Sequence, residues 1–164
     1  MIIITWKSGS GKSTLSSHLE EKYWYSIPFK VTTRGMRDWE DLSEYRFVSK
    51  EYFKFLKENQ LLLEDTTFNW GQYWTTWVYT ENTVFVVDDI GRDNILKVFP
   101  MAKTVWIEVS ELERRKRLFN RGLRGDSLEE RMDGGSEQMS PLESCLRVDG
   151  TKDVDLIAKQ ILWV

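Results

Sequence analysis

Short continuous apolar runs alternate with amphipathic stretches along most of this chain. The runs are rich in β-branched and aromatic residues, which is typical of strands buried on both faces. They lie at residues 2–5, 23–31, 83–89, 104–109 and 145–148. The helical patterns lie at residues 13–23, 93–99, 111–120 and 154–163, and in a segment that begins at Leu128 behind Ser127 as N-cap. Strands that alternate with helices predict an α/β fold built on a doubly wound parallel sheet.

Between residues 32 and 81 the pattern changes to a polar, turn-rich block. Its strand and helix patterns lie at residues 45–48, 49–59, 61–64 and 71–76. Ser49 is a favourable N-cap for the predicted helix. We expect this block to form a small mixed subdomain inserted between the two parts of a core, residues 1–31 and 82–164.

Composition restricts the class of protein and its compartment. Hydrophobic residues make up 41% and charged residues 30% of the 164 residues, which indicates a globular rather than a disordered protein. No apolar run approaches the ~20 residues of a membrane span, and the N-terminus is predicted to be a strand rather than a signal peptide. The single cysteine, Cys145, excludes an intramolecular disulfide. We therefore expect one cytoplasmic domain with no membrane partner, as a monomer or a homodimer.

The charge balance provides no broad surface for nucleic acid. The formal net charge is −3, so a basic stripe would have to be local. Eight tryptophans are many for this length, and exposed rings among them would offer surfaces on which bases stack. Ordinary packing explains most of them. DNA is therefore a possible but not a favoured partner.

The candidate chemistry begins directly after the first strand, in residues 6–14, which read W-K-S-G-S-G-K-S-T. A strand, a glycine-rich turn ending in Gly-Lys-Ser and a helix form the context of a phosphate-binding P-loop. Glycines let backbone N–H groups converge on phosphates, and the helix N-terminus adds positive potential. Lys12 would reach the β- and γ-phosphates, and the Ser13 hydroxyl would bind Mg²⁺. The predicted nucleotide-binding residues are Ser8, Gly9, Ser10, Gly11, Lys12, Ser13 and Thr14. The pattern favours an ATP site over a flexible turn with a surface lysine.

The start of this loop departs from the full P-loop pattern. Trp6 occupies the position, five residues before Gly11, at which that pattern has glycine. A bulky side chain is expected to require an ordinary backbone conformation there. We therefore expect the first turn of the loop to differ.

The apolar run at residues 83–89 ends in two carboxylates, Asp88 and Asp89. An acid at the end of a buried parallel strand is the form of the carboxylate that binds Mg²⁺ in P-loop proteins. The predicted metal ligands are Ser13 and Asp88, and Asp89 is assigned to the acceptor. Because the two acids are adjacent, which of them has which role stays open.

A second group of candidate residues lies in the inserted block. Arg34 and Arg37 are three residues apart in a turn, so their guanidinium groups can bind one phosphate together, and Tyr45 can donate a further hydrogen bond. Paired surface arginines are more often simply solvated. The residues alone leave both interpretations open.

Together these segments resemble the acceptor-binding region of guanylate kinases. The residues that carry the resemblance are Val31-Thr32-Thr33-Arg34, Arg37, Glu40, Glu44-Tyr45-Arg46-Phe47-Val48-Ser49, Phe53, Leu63-Glu64 and Gly71-Gln72-Tyr73-Trp74-Thr75. The pairs Arg117-Leu118 and Arg121-Gly122, with Arg131, resemble the lid of that family. The resemblance covers about residues 2–132.

The resemblance implies a P-loop nucleoside monophosphate kinase with three parts: a core, an acceptor subdomain at residues 32–81 and a lid at residues 121–131. It implies that Arg34, Arg37 and Tyr45 hold the acceptor phosphate and that Glu64 accepts hydrogen bonds from guanine. The substrate-binding residues that it implies are Arg34, Arg37, Tyr45, Glu64, Trp74, Thr76 and Asp89. The catalytic residues that it implies are Lys12, Arg34, Arg37, Arg121 and Arg131. Lid arginines would make catalysis conditional on closure, which limits ATP hydrolysis.

The base-reading positions depart from the family. Lys30 stands where the family has a serine that contacts guanine, and Trp74 and Thr75 replace a tyrosine and a glycine. The compact form resembles phage enzymes that handle modified deoxynucleotides. The expected reaction is therefore ATP-dependent phosphoryl transfer to a nucleoside or deoxynucleoside monophosphate, whether GMP, dGMP or a modified deoxynucleotide.

Two other functions stay open at this point. The first is a P-loop kinase that acts on a hydroxyl of a modified base in DNA, where aromatic residues would stack an extruded base. The second is a non-catalytic guanylate-kinase-like binding module, since a fold alone does not guarantee activity.

Overall fold

The computed structural model of the chain describes residues 1–36, 42, 45–59, 61–68, 71–76, 80–133 and 141–163; for residues 64–68, 71–74 and 76 it describes the backbone alone. Within these residues the elements are, in chain order, β1 (Ile2–Thr5), α1 (Lys12–Tyr23), β2 (Lys30–Thr32), β3 (Tyr45–Phe47), α2 (Lys50–Glu58), β4 (Leu62–Phe68), β5 (Gly71–Thr76), β6 (Val84–Val86), α3 (Asp89–Val98), β7 (Lys103–Glu108), α4 (Glu111–Asn120), α5 (Gly125–Asp133), β8 (Leu146–Asp149) and α6 (Val154–Leu162).

The first sheet has four parallel strands in the order β6-β1-β7-β8. Ile2 and Ile4 of β1 pack on one face in a cluster with residues of α1 and α6, whereas Ile3 packs on the other face with Phe85 and with Ile95 of α3. Both faces are therefore covered by helices, which explains why these strands are continuously apolar. The predicted doubly wound parallel sheet is confirmed.

The second sheet has the order β3-β2-β5-β4 and is mixed. Strand β2 runs parallel to β3 and antiparallel to β5, which in turn is antiparallel to β4. Phe53 of α2 is buried against Val31 and Leu62 and covers one face of this sheet. The strands and the helix predicted between residues 45 and 76 are confirmed, and the Ser49 hydroxyl accepts the Tyr52 N–H as the N-cap of α2.

One side chain of the second sheet joins it to the first. Leu63 is buried with Ile3, Phe85 and Ile95, on the side away from the cluster that contains Leu62. Neighbouring residues of a strand point to opposite faces, and the pairing of β4 is irregular between Leu62 and Glu64. Leu62 and Leu63 therefore pack in two different hydrophobic clusters.

The strand predicted at residues 23–31 is wrong over most of its length. Helix α1 continues through Tyr23 and ends at Trp24, which has a left-handed backbone with φ of 59°. Only Ser26 forms a bridge, with Thr83, before β2 begins at Lys30 and joins the second sheet. Pro28 explains part of this result, because it has no N–H for a ladder, and the aromatic residues that suggested a strand fit the end of a helix equally well.

Two helices begin earlier than predicted. Helix α3 starts at Asp89 rather than near residue 93, because the Asp88 carboxylate accepts the Gly91 N–H and caps it. Helix α5 starts at Gly125 rather than at Leu128, and the Ser127 hydroxyl donates to the Arg124 carbonyl within its first turn.

Helices α4 and α5 form a small unit of their own beside the first sheet. Leu118 of α4 is buried against Leu128 and Met132 of α5, with Leu123 of the connecting segment packed beside them. The predicted lid at residues 121–131 falls on this connection and on α5. In the described part of the chain, no helix combines the length and the apolar character that crossing a membrane requires.

Gly150, in the turn after β8, is a position where added volume should destabilise the fold. A Cβ atom there would lie 2.5 Å from methyl groups of Ile107 and Val109 and 3.0 Å from the Ser10 carbonyl oxygen. We expect Gly150→Ala to destabilise the protein by roughly 1–3 kcal/mol through overpacking, which for a chain of this size lowers Tm by about 2–4 °C per kcal/mol. Thermal unfolding measures this. Gly35→Ala is the control, because a Cβ at Gly35 meets nothing within 4 Å; equal Tm values for the two variants would contradict the prediction.

Candidate active site

The loop between β1 and α1 lies at the edge of the first sheet where its parallel strands end. Gly9 and Gly11 have φ of +82° and +103°, a region that side-chain-bearing residues rarely adopt. Gly9 also lies against α4, since a Cβ there would be 3.2 Å from the Arg114 carbonyl oxygen. No side chain caps the N-terminus of α1. Its first N–H groups therefore point towards the loop, as an anion site requires.

Trp6 does not keep the ordinary backbone conformation that the sequence led us to expect. Its φ is 156°, although it has a large side chain. The indole packs against Trp106 with 4.3 Å between ring centroids, and its Nε1 atom is buried with no hydrogen-bond partner among the described residues. Packing between the two rings offsets the backbone strain, so tryptophan takes a conformation more typical of glycine.

Lys12 is the residue on which the charges of the site converge. Its Nζ donates to the carbonyl oxygens of Trp6 and Lys7, at 2.5 and 3.1 Å. The pKa of Lys12 is lowered from its usual value of 10.5 to about 7, mainly by burial and further by the positive charges of Lys30, Arg114 and Arg121. The Asp88 carboxylate acts in the opposite direction and raises the pKa of Lys12. Those four charges come from β2, from the two ends of α4, and from the start of α3.

The second sheet brings Arg34 and Tyr45 together, as predicted. Arg34 is 8% exposed, and its guanidinium carbon lies 4.9 Å from the ring centroid of Tyr45 and 5.2 Å from that of Phe47. Its Nη1 donates to the Gly35 carbonyl at 2.8 Å. The Lys30 ammonium lies 5.4 Å from the same Tyr45 ring. Two cations of the second sheet therefore lie beside one phenol ring, and one of them, Lys30, also acts electrostatically on Lys12.

The other predicted acceptor residues are described in part or not at all. Arg37 lies outside the described residues. Glu64 of β4 pairs with Thr75 of β5, and Thr75 pairs on its other side with Lys30 of β2. Trp74 pairs with Val31, and Thr76 pairs with Leu62. Register thus places Glu64, Thr75 and Lys30 in one row across three strands.

The predicted metal ligands flank the loop. Ser13 is an exposed residue of the first turn of α1, and Asp88 follows β6, where one carboxylate oxygen accepts the Gly91 N–H at 2.8 Å. Asp89 is the first residue of α3. Among the described residues, no group of three or more His, Cys, Asp or Glu side chains could hold a metal ion. That donor set fits Mg²⁺, which in phosphate sites takes one or two protein ligands together with phosphate oxygens and water.

Both predicted lid arginines reach the loop. Arg131 of α5 donates from Nη1 to the Ser8 hydroxyl at 3.5 Å. Arg121 ends α4 and contributes to the electrostatic effect on Lys12. The α4–α5 unit therefore lies against the phosphate loop.

A cavity of about 410 Å³ opens beside the loop. Its lining comes from the P-loop, α1, α4, β7 and α6, and includes Ser10, Gly11, Thr14, Leu15, Ile107, Arg117, Asn120, Arg121, Gly150, Val154 and Ile157. Its size lies in the range of small-molecule sites. It adjoins Gly11, so a ligand in the cavity would be continuous with phosphates held by the loop.

Two further arginines belong to the site: Arg117, which the sequence placed only in the resemblance to the lid, and Arg114, which it did not single out. Arg117 donates to the carbonyl oxygens of Ser10 and Gly150, at 3.2 and 2.9 Å, and Arg114 is buried below the loop with 1% exposure. The sequence does indicate that these arginines act together, because Arg114, Arg117 and Arg121 recur every three or four residues and so share one face of α4.

Comparison with known proteins places the chain in a family. The family model described as an AAA domain matches residues 2–134. The guanylate kinase of Helicobacter pylori (strain ATCC 700392 / 26695) is 32% identical over 159 residues, which are 88% of this chain and 75% of that protein. The guanylate kinase of Vibrio vulnificus (strain YJ016) is 37% identical over 129 residues, 70% of this chain and 62% of that protein. The chain thus matches slightly less than two thirds of the length of the Vibrio relative.

Solved structures agree with this placement at the level of the fold. The guanylate kinase of Anaplasma phagocytophilum aligns with a TM-score of 0.70 and 22% identity, over 99% of this chain and 81% of that one. A sugar kinase from Janibacter sp. HTCC2649 aligns with a TM-score of 0.53 and 12% identity, over 99% of this chain and 91% of that one. The fold is thus that of P-loop kinases, and by its sequence the chain belongs to the guanylate kinase family.

Proposed function

We propose that this chain is a nucleoside monophosphate kinase, which transfers the γ-phosphoryl group of ATP to a nucleoside or deoxynucleoside monophosphate. The observation that carries the proposal is the convergence of charges on Lys12. Lys30 of the second sheet, Arg121 of the α4–α5 unit and Asp88 of the core all act on the ammonium of this one P-loop residue. A donor site, an acceptor site and a lid that meet at one lysine are what phosphoryl transfer requires.

The donor would be ATP, with its phosphates on the P-loop. The N–H groups at the start of α1 and the Lys12 ammonium would bind the β- and γ-phosphates. The cavity beside Gly11 and Thr14 would receive the adenosine part of the nucleotide. Arg117, which lines this cavity and contacts the Ser10 carbonyl, would hold the loop against the bound nucleotide.

Mg²⁺ would be held by Ser13 and by Asp88, the acid that acts on Lys12. When bound, the cation neutralises charge on the transferred and leaving phosphate oxygens. Asp88 also caps α3, so its carboxylate is oriented by the helix before any nucleotide arrives. Asp89, one residue further into α3, is proposed to face the acceptor.

The acceptor monophosphate would lie against the second sheet. Arg34 and Tyr45 are proposed to hold its phosphate, with Arg37 as a further ligand, and a buried guanidinium is well suited to bind two oxygens at once. Guanine is the base that the family relationship favours. Glu64 would accept hydrogen bonds from it, and Trp74 and Thr76 would lie beside it. Lys30 places a cation close to Tyr45, so a base or sugar with additional negative charge or acceptor oxygens is proposed as an alternative substrate.

Phosphoryl transfer itself would depend on positive charge rather than on covalent help. Arg121 and Arg131 are proposed to bind the transferring phosphoryl group when the lid, residues 121–131, closes. The lid would close over the core, residues 1–31 and 82–164, and over the acceptor subdomain, residues 32–81. Donors that are fixed before the reaction stabilise the developing charge, and closure excludes the water that would hydrolyse ATP.

A coupled ADP-release assay tests the proposal. Mg-ATP is offered with each nucleoside and deoxynucleoside monophosphate, with 5-modified pyrimidine monophosphates, and with DNA that contains 5-hydroxymethyl bases. We expect turnover with at least one monophosphate and none with DNA. Turnover on DNA alone would replace the proposal with a kinase of modified DNA bases, and no turnover despite Mg-ATP binding would favour a binding module.

Arg34→Ala tests the acceptor site. A charge-assisted hydrogen bond contributes about 1.5–3 kcal/mol, so we expect KM for the monophosphate to rise by roughly ten- to hundredfold, while KM for ATP changes little. The control is Arg46→Ala, because Arg46 lies between Tyr45 and Phe47 on β3 and contacts Phe29 instead of the Arg34 cluster. A larger change in the KM for ATP than for the monophosphate would show that Arg34 serves the donor.

Lys12 should make nucleotide binding depend on proton uptake. With a pKa of about 7, Lys12 is mostly neutral at pH 8 in the ligand-free protein, and adjacent phosphates favour the ammonium form. We therefore expect a non-hydrolysable ATP analogue with Mg²⁺ to bind with uptake of a large fraction of one proton at pH 8. Binding enthalpies in buffers of different ionisation enthalpy measure this fraction. Lys12→Met should abolish the uptake; uptake near zero in the unsubstituted protein would contradict the prediction.

A further inference from the structure

Arg114 of α4 lies between the P-loop and the end of α5. Its side chain is buried, with 1% exposure. Its Nε donates to the Ser8 carbonyl oxygen at 2.9 Å, and its Nη2 donates to the Met132 carbonyl oxygen at 3.3 Å. One guanidinium group therefore connects the phosphate loop with the last turn of the α5 helix.

This buried charge is stabilised differently from those of its neighbours in α4. Arg115 forms an exposed ion pair with Glu129 at 2.6 Å, and Arg117 forms a partly buried one with Glu113 at 2.9 Å. Among the residues that the structure describes, no carboxylate lies within ion-pair distance of Arg114. Burial lowers the pKa of Arg114, yet a guanidinium stays charged in proteins. The direct partners of this positive charge are therefore two carbonyl oxygens, and the Glu111 carboxylate, which raises the pKa of Arg114, acts on it from outside ion-pair distance.

The α5 end of this connection carries the lid arginine. Met132 directly follows Arg131, whose Nη1 reaches the Ser8 hydroxyl at 3.5 Å. Ser8 is thus contacted twice, at its carbonyl by Arg114 and at its hydroxyl by Arg131. Packing of Met132 and Leu128 on Leu118 holds the same turn of α5 from its apolar side.

We propose that Arg114 is a positioning residue, which fastens the end of α5 to the P-loop and so holds Arg131 beside the phosphate site. The role of Arg131 in phosphoryl transfer rests on the function proposed above, whereas the connection between loop and helix does not. Arginine suits this position because its planar fork donates in two fixed directions from separate nitrogens. The single nitrogen of a lysine cannot occupy both donor positions.

Steady-state kinetics of Arg114→Met, with Arg115→Met as the matched control, give the first test. Methionine keeps much of the volume and length but removes both hydrogen bonds, and Arg115 joins α4 to α5 at the surface without contacting the loop. We expect Arg114→Met to lower kcat by roughly ten- to hundredfold, as loss of hydrogen bonds from a charged group implies, and Arg115→Met to change it less than about twofold. Equal losses in the two variants would mean that any tie between α4 and α5 has the same effect, and would overturn the proposal.

A double-mutant cycle with Arg131→Ala separates positioning from stability. If Arg114 acts by placing Arg131, then Arg114→Met should cost little further kcat once Arg131 has been removed. Full additivity of the two losses would overturn the proposal. Should Arg114→Met fail to fold, Arg114→Lys takes its place in the cycle, because lysine keeps the charge and one donor nitrogen. Compared with the unsubstituted protein, we expect Arg114→Lys to change the affinity for Mg-ATP less than it lowers kcat.

Hydrogen exchange without any substrate tests the connection independently of the reaction. In Arg114→Met the amides of residues 125–133 and of the P-loop should exchange faster than in Arg115→Met, because both ends lose their common partner. Similar exchange in the two variants would overturn the inference even if the kinase activity is found. A chain that phosphorylates no monophosphate but shows the expected difference in exchange would disprove the proposed function and retain the connection.

Discussion

The Lys12 ammonium, buried among other positive charges, is the constraint on which the rest of this structure depends. In such surroundings the charged form of a lysine is less stable relative to the neutral form, and the pKa of Lys12 is therefore lowered. In the ligand-free chain, two loop carbonyls are its hydrogen-bond acceptors. Phosphate oxygens are the natural complement of this arrangement, because they supply negative charge where Lys30, Arg114 and Arg121 have concentrated the opposite sign. The charges around Lys12 therefore favour the binding of an anion.

Apolar clusters hold in place the elements that carry the charges of the site. Leu118, Leu128 and Met132 position the α4–α5 unit that carries the arginines. Val31, Phe53 and Leu62 form the core below the second sheet, from which Arg34 and Lys30 extend. Leu63 then joins that sheet to the first one. Like charges can therefore approach one lysine because hydrophobic burial offsets their repulsion.

Features that depend on neighbours in the sequence could be predicted, and features that depend on distant contacts could not. The P-loop between β1 and α1, and the pairing of Arg34 with Tyr45, follow from local patterns and from the family resemblance. Helical spacing places Arg114 on one face of α4 with Arg117 and Arg121, but it does not predict what that face contacts, because Ser8, the partner of Arg114, lies 106 residues away in the chain. The backbone of Trp6 was predicted wrongly because its packing partner, Trp106, is equally distant in sequence. In each case the decisive contact is tertiary.

Lys30 connects the second sheet electrostatically with the P-loop lysine. It belongs to β2 of the second sheet and lies beside Tyr45, on the acceptor side. Among the charged groups that act on Lys12, it nevertheless has the largest effect, ahead of residues packed against the loop itself. In the family resemblance this position holds a neutral, base-reading serine. A change of charge at residue 30 is therefore expected to alter the protonation of Lys12. Under the function proposed above, acceptor choice and triphosphate binding would then be coupled through this single charge.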